Sequence, residues 1–222
     1  MRETFRAELK ELRAEVTEVA RVMVGAVDDS VRALVTGDPD LAEKVIAGDD
    51  EIDSRTLGLE EHALEVIATQ SPVAKDLRLL HSLTYIAIHI ERMADLAVNI
   101  AKAALRTADI RGPQTLYDLI QAQGNLVHRV LEACIEALKN RDVELAAKLP
   151  DMDEPIDHLF KQFFRELARL NEEEDIEFAS SMILASRYLE RIADHAVDIG
   201  ERINYMVTGD FEGAHESSGD GE

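Results

Sequence analysis

Residues 91–100 read Glu-Arg-Met-Ala-Asp-Leu-Ala-Val-Asn-Ile, and residues 190–199 repeat this phrase as Glu-Arg-Ile-Ala-Asp-His-Ala-Val-Asp-Ile. Seven of the ten positions are identical, which predicts a chain built by internal duplication. Each copy separates a glutamate from an aspartate by four positions, so both carboxylates lie on one face of a helix. Their repulsion costs about 0.2–0.5 kcal/mol per pair. Because this cost occurs twice, a bound cation is the simplest compensation for it.

Composition and periodicity predict an all-α fold. Hydrophobic residues make up 46% of the 222 positions but aromatic residues only 5%, which suits helix packing better than strands. Apolar residues recur at helical spacing along nearly the whole chain. We expect two tandem three-helix bundles related by the duplication, at residues 1–108 and 114–207. The tail at 208–222, rich in Gly, Ser and acidic residues, is expected to be disordered.

Turn signals divide each half into three helices. Gly37 can end a long first helix and Pro39 can open the second, while Ser71 is predicted to cap a third helix that begins at Pro72. The predicted helices after the first are Pro39–Thr69, Pro72–Leu105, Gln114–Asn140, Val143–Asn171 and Asp175–Val207.

The linkers of the two halves also correspond. The segment 37–42 aligns with 141–146, and continuing this alignment places Asp49 and Asp53 opposite Asp153 and Asp157. Neighbouring bundle helices are antiparallel, so these pairs can converge with the pairs of the repeated phrase. The candidate metal ligands are therefore Asp49, Asp53, Glu91 and Asp95 in one half and Asp153, Asp157, Glu190 and Asp194 in the other. Asn99 and Asp198, one turn further along, are additional candidates.

Oxygen ligands without cysteine favour Mg, Ca, Mn or iron over a structural zinc site, although carboxylate-rich multinuclear sites also accept zinc. A second interpretation stays open, because an acidic stripe on an amphipathic helix is also typical of a solvated face. The seven histidines show no ligand spacing. For His81, His89, His158 and His195 we expect polar positions on helix surfaces.

The charge balance restricts the function. Lys and Arg number 24 against 45 Asp and Glu, a formal net charge of -21, which disfavours nucleic acid and anionic lipid as direct partners. The charged N-terminus does not resemble a signal peptide and no run of 18 apolar residues follows, so we expect a cytoplasmic protein. The single cysteine, Cys134, is predicted to be a core thiol. Without a Gly-rich phosphate loop, a direct phosphate sensor is disfavoured.

Two features together resemble the PhoU family of phosphate-transport accessory and regulatory proteins. One is the segment Gln-Ser-Pro-Val-Ala-Lys-Asp-Leu-Arg at 70–78, and the other is the phrase repeated at Glu91 and Glu190. The resemblance covers residues 1 to about 207. The second half has no equivalent of the 70–78 segment but keeps the phrase.

This resemblance implies a non-enzymatic regulator that represses the phosphate-starvation response when phosphate is plentiful. It implies partners in the ATPase subunit of a phosphate ABC transporter and in a sensor histidine kinase, with membrane association only through them. It also implies multinuclear iron or zinc clusters at the eight motif acids, and a homodimer.

Two other functions remain as alternatives. A carboxylate-bridged di-iron enzyme or metal-storage bundle would normally need Glu-x-x-His on its helices, and that spacing occurs only at Glu212 and His215 in the tail. A plain helical scaffold would bind no metal, and its acidic pairs would only keep the surface hydrated.

Overall fold

A computed structural model describes residues 2–169 and 176–210, and within these ranges the regular secondary structure consists of α-helices joined by short turns. The helices are α1 (Arg2–Thr36), α2 (Pro39–Gln70), α3 (Lys75–Thr107), α4 (Gln114–Asn140), α5 (Val143–Ala146), α6 (Leu149–Leu167) and α7 (Ile176–Thr208). The predicted ends of helices five and six at Asn171 and Asp175 lie outside the described residues. So do Glu212, His215 and the rest of the tail from 211 onward.

The break between α1 and α2 forms as the local sequence predicts. Gly37 adopts a positive φ of 65° at the end of α1. The Asp38 carboxylate then accepts a hydrogen bond from the Leu41 N–H at 3.0 Å, and Pro39 occupies the first turn of α2. A side-chain acceptor at this position satisfies one of the N–H groups that a helix start leaves unpaired.

The predicted start of the third helix was wrong. Ser71 ends α2 in a left-handed conformation with φ of 47°, and its N–H donates to the Ile67 carbonyl. Proline often follows such a helix end because it cannot continue the helix, and Pro72 does so here. The third helix begins only at Lys75, after Ala74 with a second positive φ of 47°.

The predicted single helix from Val143 was also wrong, because it divides at Ala147 into α5 and α6. Pro150 lies in the first turn of α6. Inside a continuous helix it would lack an N–H donor and its ring would clash with the preceding turn, whereas the first turn of a helix tolerates proline. Gly200 of α7 packs at this break, where an added Cβ would lie 2.8 Å from Leu149 Cδ1.

Each half is a three-helix arrangement, and the halves pack closely together. The helices α1, α2 and α3 contact one another, as do α4, α6 and α7. Between the halves, α3 packs on α7 and α1 packs on α4, so that one continuous apolar core includes residues from both. The predicted all-α fold with two related bundles is confirmed.

Two positions show how tight this core is. At Gly124 of α4, an added Cβ would lie 2.8 Å from Val31 Cγ1 of α1. Cys134 is buried, its Sγ lies 3.6 Å from the Ala196 carbonyl, and burial raises its thiol pKa to about 12. The predicted core position of this cysteine is confirmed. No helix among the described residues is both long and apolar enough to cross a membrane.

Candidate metal centres

The first acidic centre lies where α2 and α3 pack against each other. Asp49 and Asp53 are on α2, and Glu91 and Asp95 are on α3. The four carboxylates are close enough to affect one another: Asp95 raises the pKa of Asp49, Asp53 and Glu91. The structure therefore brings the two predicted pairs together. Asp49 and Glu91 are half-buried, and Asp53 and Asp95 face the exposed side.

Asp49 is the most perturbed member of this centre. Burial, and then the carboxylates of Asp53 and Asp95, raise its pKa to about 6, while Lys102 acts in the opposite direction. Its Oδ1 atom is buried and has no hydrogen-bond partner among the described residues. A buried, unpaired carboxylate oxygen is unfavourable, and a nearby cation would offset this cost.

The second acidic centre repeats this arrangement between α6 and α7. Asp153 and Asp157 are on α6, and Glu190 and Asp194 are on α7. Burial is the main cause that raises the pKa of Asp153 to about 6, and the neighbouring carboxylates add to it, in the order Asp157, Asp194 and Glu190. Burial and Asp157 likewise raise the pKa of Asp194. Asp153 Oδ1 is also buried without a hydrogen-bond partner in the described part of the chain.

The two centres differ in one charged neighbour. In the second centre, Arg187 donates a hydrogen bond to Glu190 Oε2 and forms an ion pair with it, one helical turn away. The corresponding position on α3 is Ile88, so Glu91 has no equivalent guanidinium at this spacing. A metal ion that binds Glu190 through Oε2 would compete with Arg187 for that oxygen. The first centre therefore offers the less obstructed set of carboxylates.

The residues fit a bound metal ion. Both centres consist of carboxylates, which hard cations prefer as ligands. Each also contains an orphaned buried oxygen, and the two orphans, Asp49 Oδ1 and Asp153 Oδ1, occupy equivalent positions in the repeat. The same unsatisfied atom in both halves is difficult to explain as a solvated acidic face. Metal ligation by the eight acids stays a prediction, supported by this convergence.

The two additional candidates have different surroundings. Asn99 is half-buried on α3, one turn beyond Asp95. Asp198 raises the pKa of Asp194, and its Oδ2 also lies 3.7 Å from Nδ1 of both His89 and His195. Asp198 thus connects the second acidic centre to a pair of histidines.

The expected surface positions of His89 and His195 were wrong. The two residues are only 4% and 9% exposed, and their Nδ1 atoms lie 3.1 Å apart across the contact between α3 and α7. Their rings meet edge to face, with centroids 5.0 Å apart. Burial and the neighbouring His195 lower the pKa of His89 to about 4. At neutral pH His89 is therefore uncharged, and the imidazole pair can share one hydrogen bond.

This histidine pair and Asp198 also form a set of metal-ligand types. The three donor atoms lie within 4.8 Å of one another, and imidazole suits transition metals better than Mg or Ca. Sequence reasoning missed the set because its members come from both halves. A signal was present in the repeated phrase, where Leu96 and Asn99 of the first copy are replaced by His195 and Asp198.

Comparison with known proteins supports the resemblance seen in the sequence. The family model described as the PhoU domain matches this chain twice, at residues 16–104 and 120–203. A phosphate-specific transport system accessory protein PhoU homolog from Rhizobium meliloti is 34% identical over 207 residues, which is 92% of this chain and 87% of the relative. A PhoU homolog from Methanothermobacter thermautotrophicus is 32% identical, over 92% of this chain and 94% of the relative.

Solved structures give the same result. The crystal structure of PhoU from Pseudomonas aeruginosa superposes with a TM-score of 0.88 at 30% identity, covering 93% of this chain and 100% of that one. The phosphate transport system regulatory protein PhoU from Streptococcus pneumoniae superposes with a TM-score of 0.85 at 25% identity, covering 94% and 99%.

Proposed function

Because this chain belongs to the PhoU family, we propose that it is a non-enzymatic accessory and regulatory protein of phosphate-specific transport. In phosphate-replete cells it represses the phosphate-starvation response. It does so as a cytoplasmic homodimer that links the ATPase subunit of the phosphate ABC transporter to a sensor histidine kinase. It reaches the membrane only through these partners.

The acidic centres give this regulator its binding surface. One observation carries the proposal: an unpartnered, buried carboxylate oxygen occurs at Asp49 and again at the equivalent Asp153. We infer that metal ions bind at the eight motif acids, with iron or zinc implied by the resemblance and Mn, Mg or Ca compatible with the ligands. The bound ions supply positive charge, which neutralises the acidic faces and allows partner proteins to approach them.

The alternatives receive less support. The Glu-x-x-His spacing of di-iron enzymes and metal-storage bundles does not occur in residues 2–169 or 176–210. A scaffold without metal leaves the two orphaned oxygens without a function.

The test uses a phosphate-starvation reporter in phosphate-replete cells that lack this gene. We expect the wild-type chain to switch the reporter off, and the double variant D49N/D153N to leave it partly or fully on. A matched control is D40N/E144Q, which also removes two charges at aligned positions, on exposed first turns of α2 and α5. This control should repress like the wild type.

Metal analysis of the purified proteins completes the test. Wild-type chain and control should each carry metal, and D49N/D153N should carry much less. A reporter that stays off without the gene in a strain with no second copy would refute the regulatory function. Metal content well below one equivalent per wild-type chain, with repression intact, would favour the plain scaffold.

A further inference from the structure

Two adjoining cavities are lined mainly by basic side chains, although the protein as a whole is strongly acidic. They share Lys10, Arg13 and Met206 and have volumes of about 380 and 150 Å³. Seven cationic side chains and only two acidic ones line them, although the chain as a whole carries 45 acids against 24 Lys and Arg. We call this region the basic groove; its cations are Arg6, Lys10, Arg13, Arg21, Lys75, Lys139 and Arg141.

The excess of basic side chains is confined to the basic groove and does not extend to the neighbouring cavities. The neighbouring cavity along α1 and α2 contains Glu11, Glu15 and Glu18 against one arginine, Arg55. A further cavity between these helices contains two acids and one lysine. The basic groove therefore differs from cavities formed by the same first helix, and a general surplus of surface lysine does not explain it.

Most of these cations have no acidic partner. Lys10, Arg13 and Arg141 form no ion pair with any carboxylate of the described residues; Arg13 instead donates to the Lys139 carbonyl at 3.2 Å. Arg141 Nε is buried without a hydrogen-bond partner in the same part of the chain. Arg13 is half-buried, and burial together with the charge of Arg141 lowers its pKa. Two guanidinium groups thus lie near each other without a counter-ion.

The position of Arg141 adds an independent argument. It aligns with Gly37 of the first half, and both residues end a helix in the left-handed conformation, with φ of 56° and 65°. Glycine adopts this conformation without steric cost, whereas a residue with a Cβ does not. The second half therefore has a large cation at a position where the fold favours glycine. Arg141 therefore carries a steric cost that glycine at this position would avoid.

We propose that the basic groove binds a small anion that carries more than one phosphate group. Guanidinium groups present paired N–H donors that match phosphate oxygens, and an anion between Arg13 and Arg141 would offset their repulsion. A volume of about 380 Å³ falls in the range of small-molecule sites, and the cations continue into the second cavity. A nucleic acid would extend onto the surrounding acidic surface, which would repel it.

Both halves of the molecule build this site. The first half provides cations from α1 and the start of α3, and the second half provides Lys139 and Arg141 at the end of α4. Sequence reasoning disfavoured a direct phosphate sensor because the chain has no Gly-rich phosphate loop. It missed the groove because residues far apart in the chain contribute to it. Anion binding in the basic groove uses none of the residues of the acidic centres and does not depend on the proposed regulatory function.

The test is isothermal titration calorimetry of the full chain with pyrophosphate, ATP and orthophosphate, at about 150 mM salt to screen weak surface attraction. A chelator excludes metal-bridged binding at the acidic centres. We expect pyrophosphate or ATP to bind with one site per chain and more tightly than orthophosphate. R13Q and R141G should each weaken binding about tenfold or more, since a hydrogen bond to a charged group is lost.

The variants are chosen so that misfolding does not decide the result. R141G removes the cation but suits the left-handed backbone, so it should fold at least as well as the wild type. The exposed R165Q on α6 makes the same charge change outside the groove and should bind normally. Absence of binding, equal affinity for orthophosphate, or unchanged affinity in both R13Q and R141G would overturn the proposal. Loss of binding in D49N/D153N with chelator present would also overturn it.

Discussion

Replacing Asp49 and Asp153 by asparagine should stabilise the metal-free protein at neutral pH. The pKa of each carboxyl is raised to about 6 in the folded state, from about 3.8 when unfolded. Ionisation is therefore less favourable in the folded chain than in the unfolded chain. Asparagine keeps the shape of the side chain and removes the charge, so the penalty disappears in the variant.

The size and sign of the effect follow from these pKa values. A shift of this size corresponds to about 3 kcal/mol per group at most, and partial exposure reduces it to about 1 kcal/mol. Because the folded-state pKa is raised, the contribution of these two groups to stability is fully present below about pH 4 and is lost as the pH rises through about 6. The two sites lie in different halves, so their effects should add to about 2 kcal/mol, or about 4–8 °C in Tm.

Thermal unfolding with a chelator present, from pH 4 to pH 8, measures this difference. D49N/D153N and wild type should have similar Tm values at pH 4, and the variant should be more stable at pH 7 and above. D40N/E144Q is the control for the loss of two negative charges. If the variant is less stable than wild type at pH 8, or if the difference does not change with pH, the reasoning about buried carboxylates is wrong.

The same variant should respond differently to metal. Ligand binding to the folded state raises Tm in proportion to the logarithm of ligand concentration. Adding iron or zinc should therefore raise the Tm of the wild type but not that of D49N/D153N, so the order of stability reverses. If both proteins gain equally, the metal binds elsewhere.

Three further predictions concern packing, reactivity and helix capping. G124A should destabilise the protein by about 1–3 kcal/mol in urea unfolding, because its Cβ would lie 2.8 Å from Val31 Cγ1. G25A has open space around it and should stabilise the protein by about 0.5–1 kcal/mol. Equal effects of the two substitutions would contradict this packing. Cys134 should react with a thiol reagent only after denaturant is added, since burial raises its pKa to about 12; fast labelling of native protein would refute this. D38A should lower the free energy of unfolding by about 0.5–2 kcal/mol, measured as a lower urea midpoint. No change in the midpoint would mean that the cap on α2 is not formed in solution.

Local signals predicted most helix boundaries, but they failed where one signal has two meanings. Gly37 and Pro39 correctly predicted the break between α1 and α2, because glycine can end a helix in a left-handed turn and proline suits the first turn of the next helix. Ser71 and Pro72 give a similar signal, yet Ser71 ends α2 in a left-handed turn. The choice depends on how the next helix packs, and the local sequence does not contain that information.

The acidic centres were predictable because repetition compensates for weak local signals. One acidic pair is most often a solvated surface, whereas aligned pairs on neighbouring helices indicated convergence of Asp49 with Asp95 and of Asp153 with Asp194. The histidine pair and the basic groove were not predictable in this way. Both depend on contacts between the two halves, and nothing in the periodicity of either half specifies these contacts.

The contacts between the halves follow the symmetry of the two repeats. They join α3 to α7 and α1 to α4, and each pair consists of corresponding helices of the two repeats. A surface that meets its own counterpart is the arrangement found in two-fold symmetric dimers. Within one chain, the two repeats therefore meet in the pattern of a two-fold symmetric dimer.

An interface within one chain can become asymmetric, whereas an interface between identical chains cannot do so by substitution. In a dimer of identical chains, every substitution appears twice, whereas in the fused chain each side varies alone. The contact between His195 and His89 occurs once in this chain, because the equivalent positions of the other repeat are Leu96 and Tyr188. A dimer of identical chains would contain the same contact twice. Arg141, at the position equivalent to Gly37 of the other repeat, is a second such difference. The two repeats thus share one helical framework, and positions at which they differ carry the histidine pair and part of the basic groove.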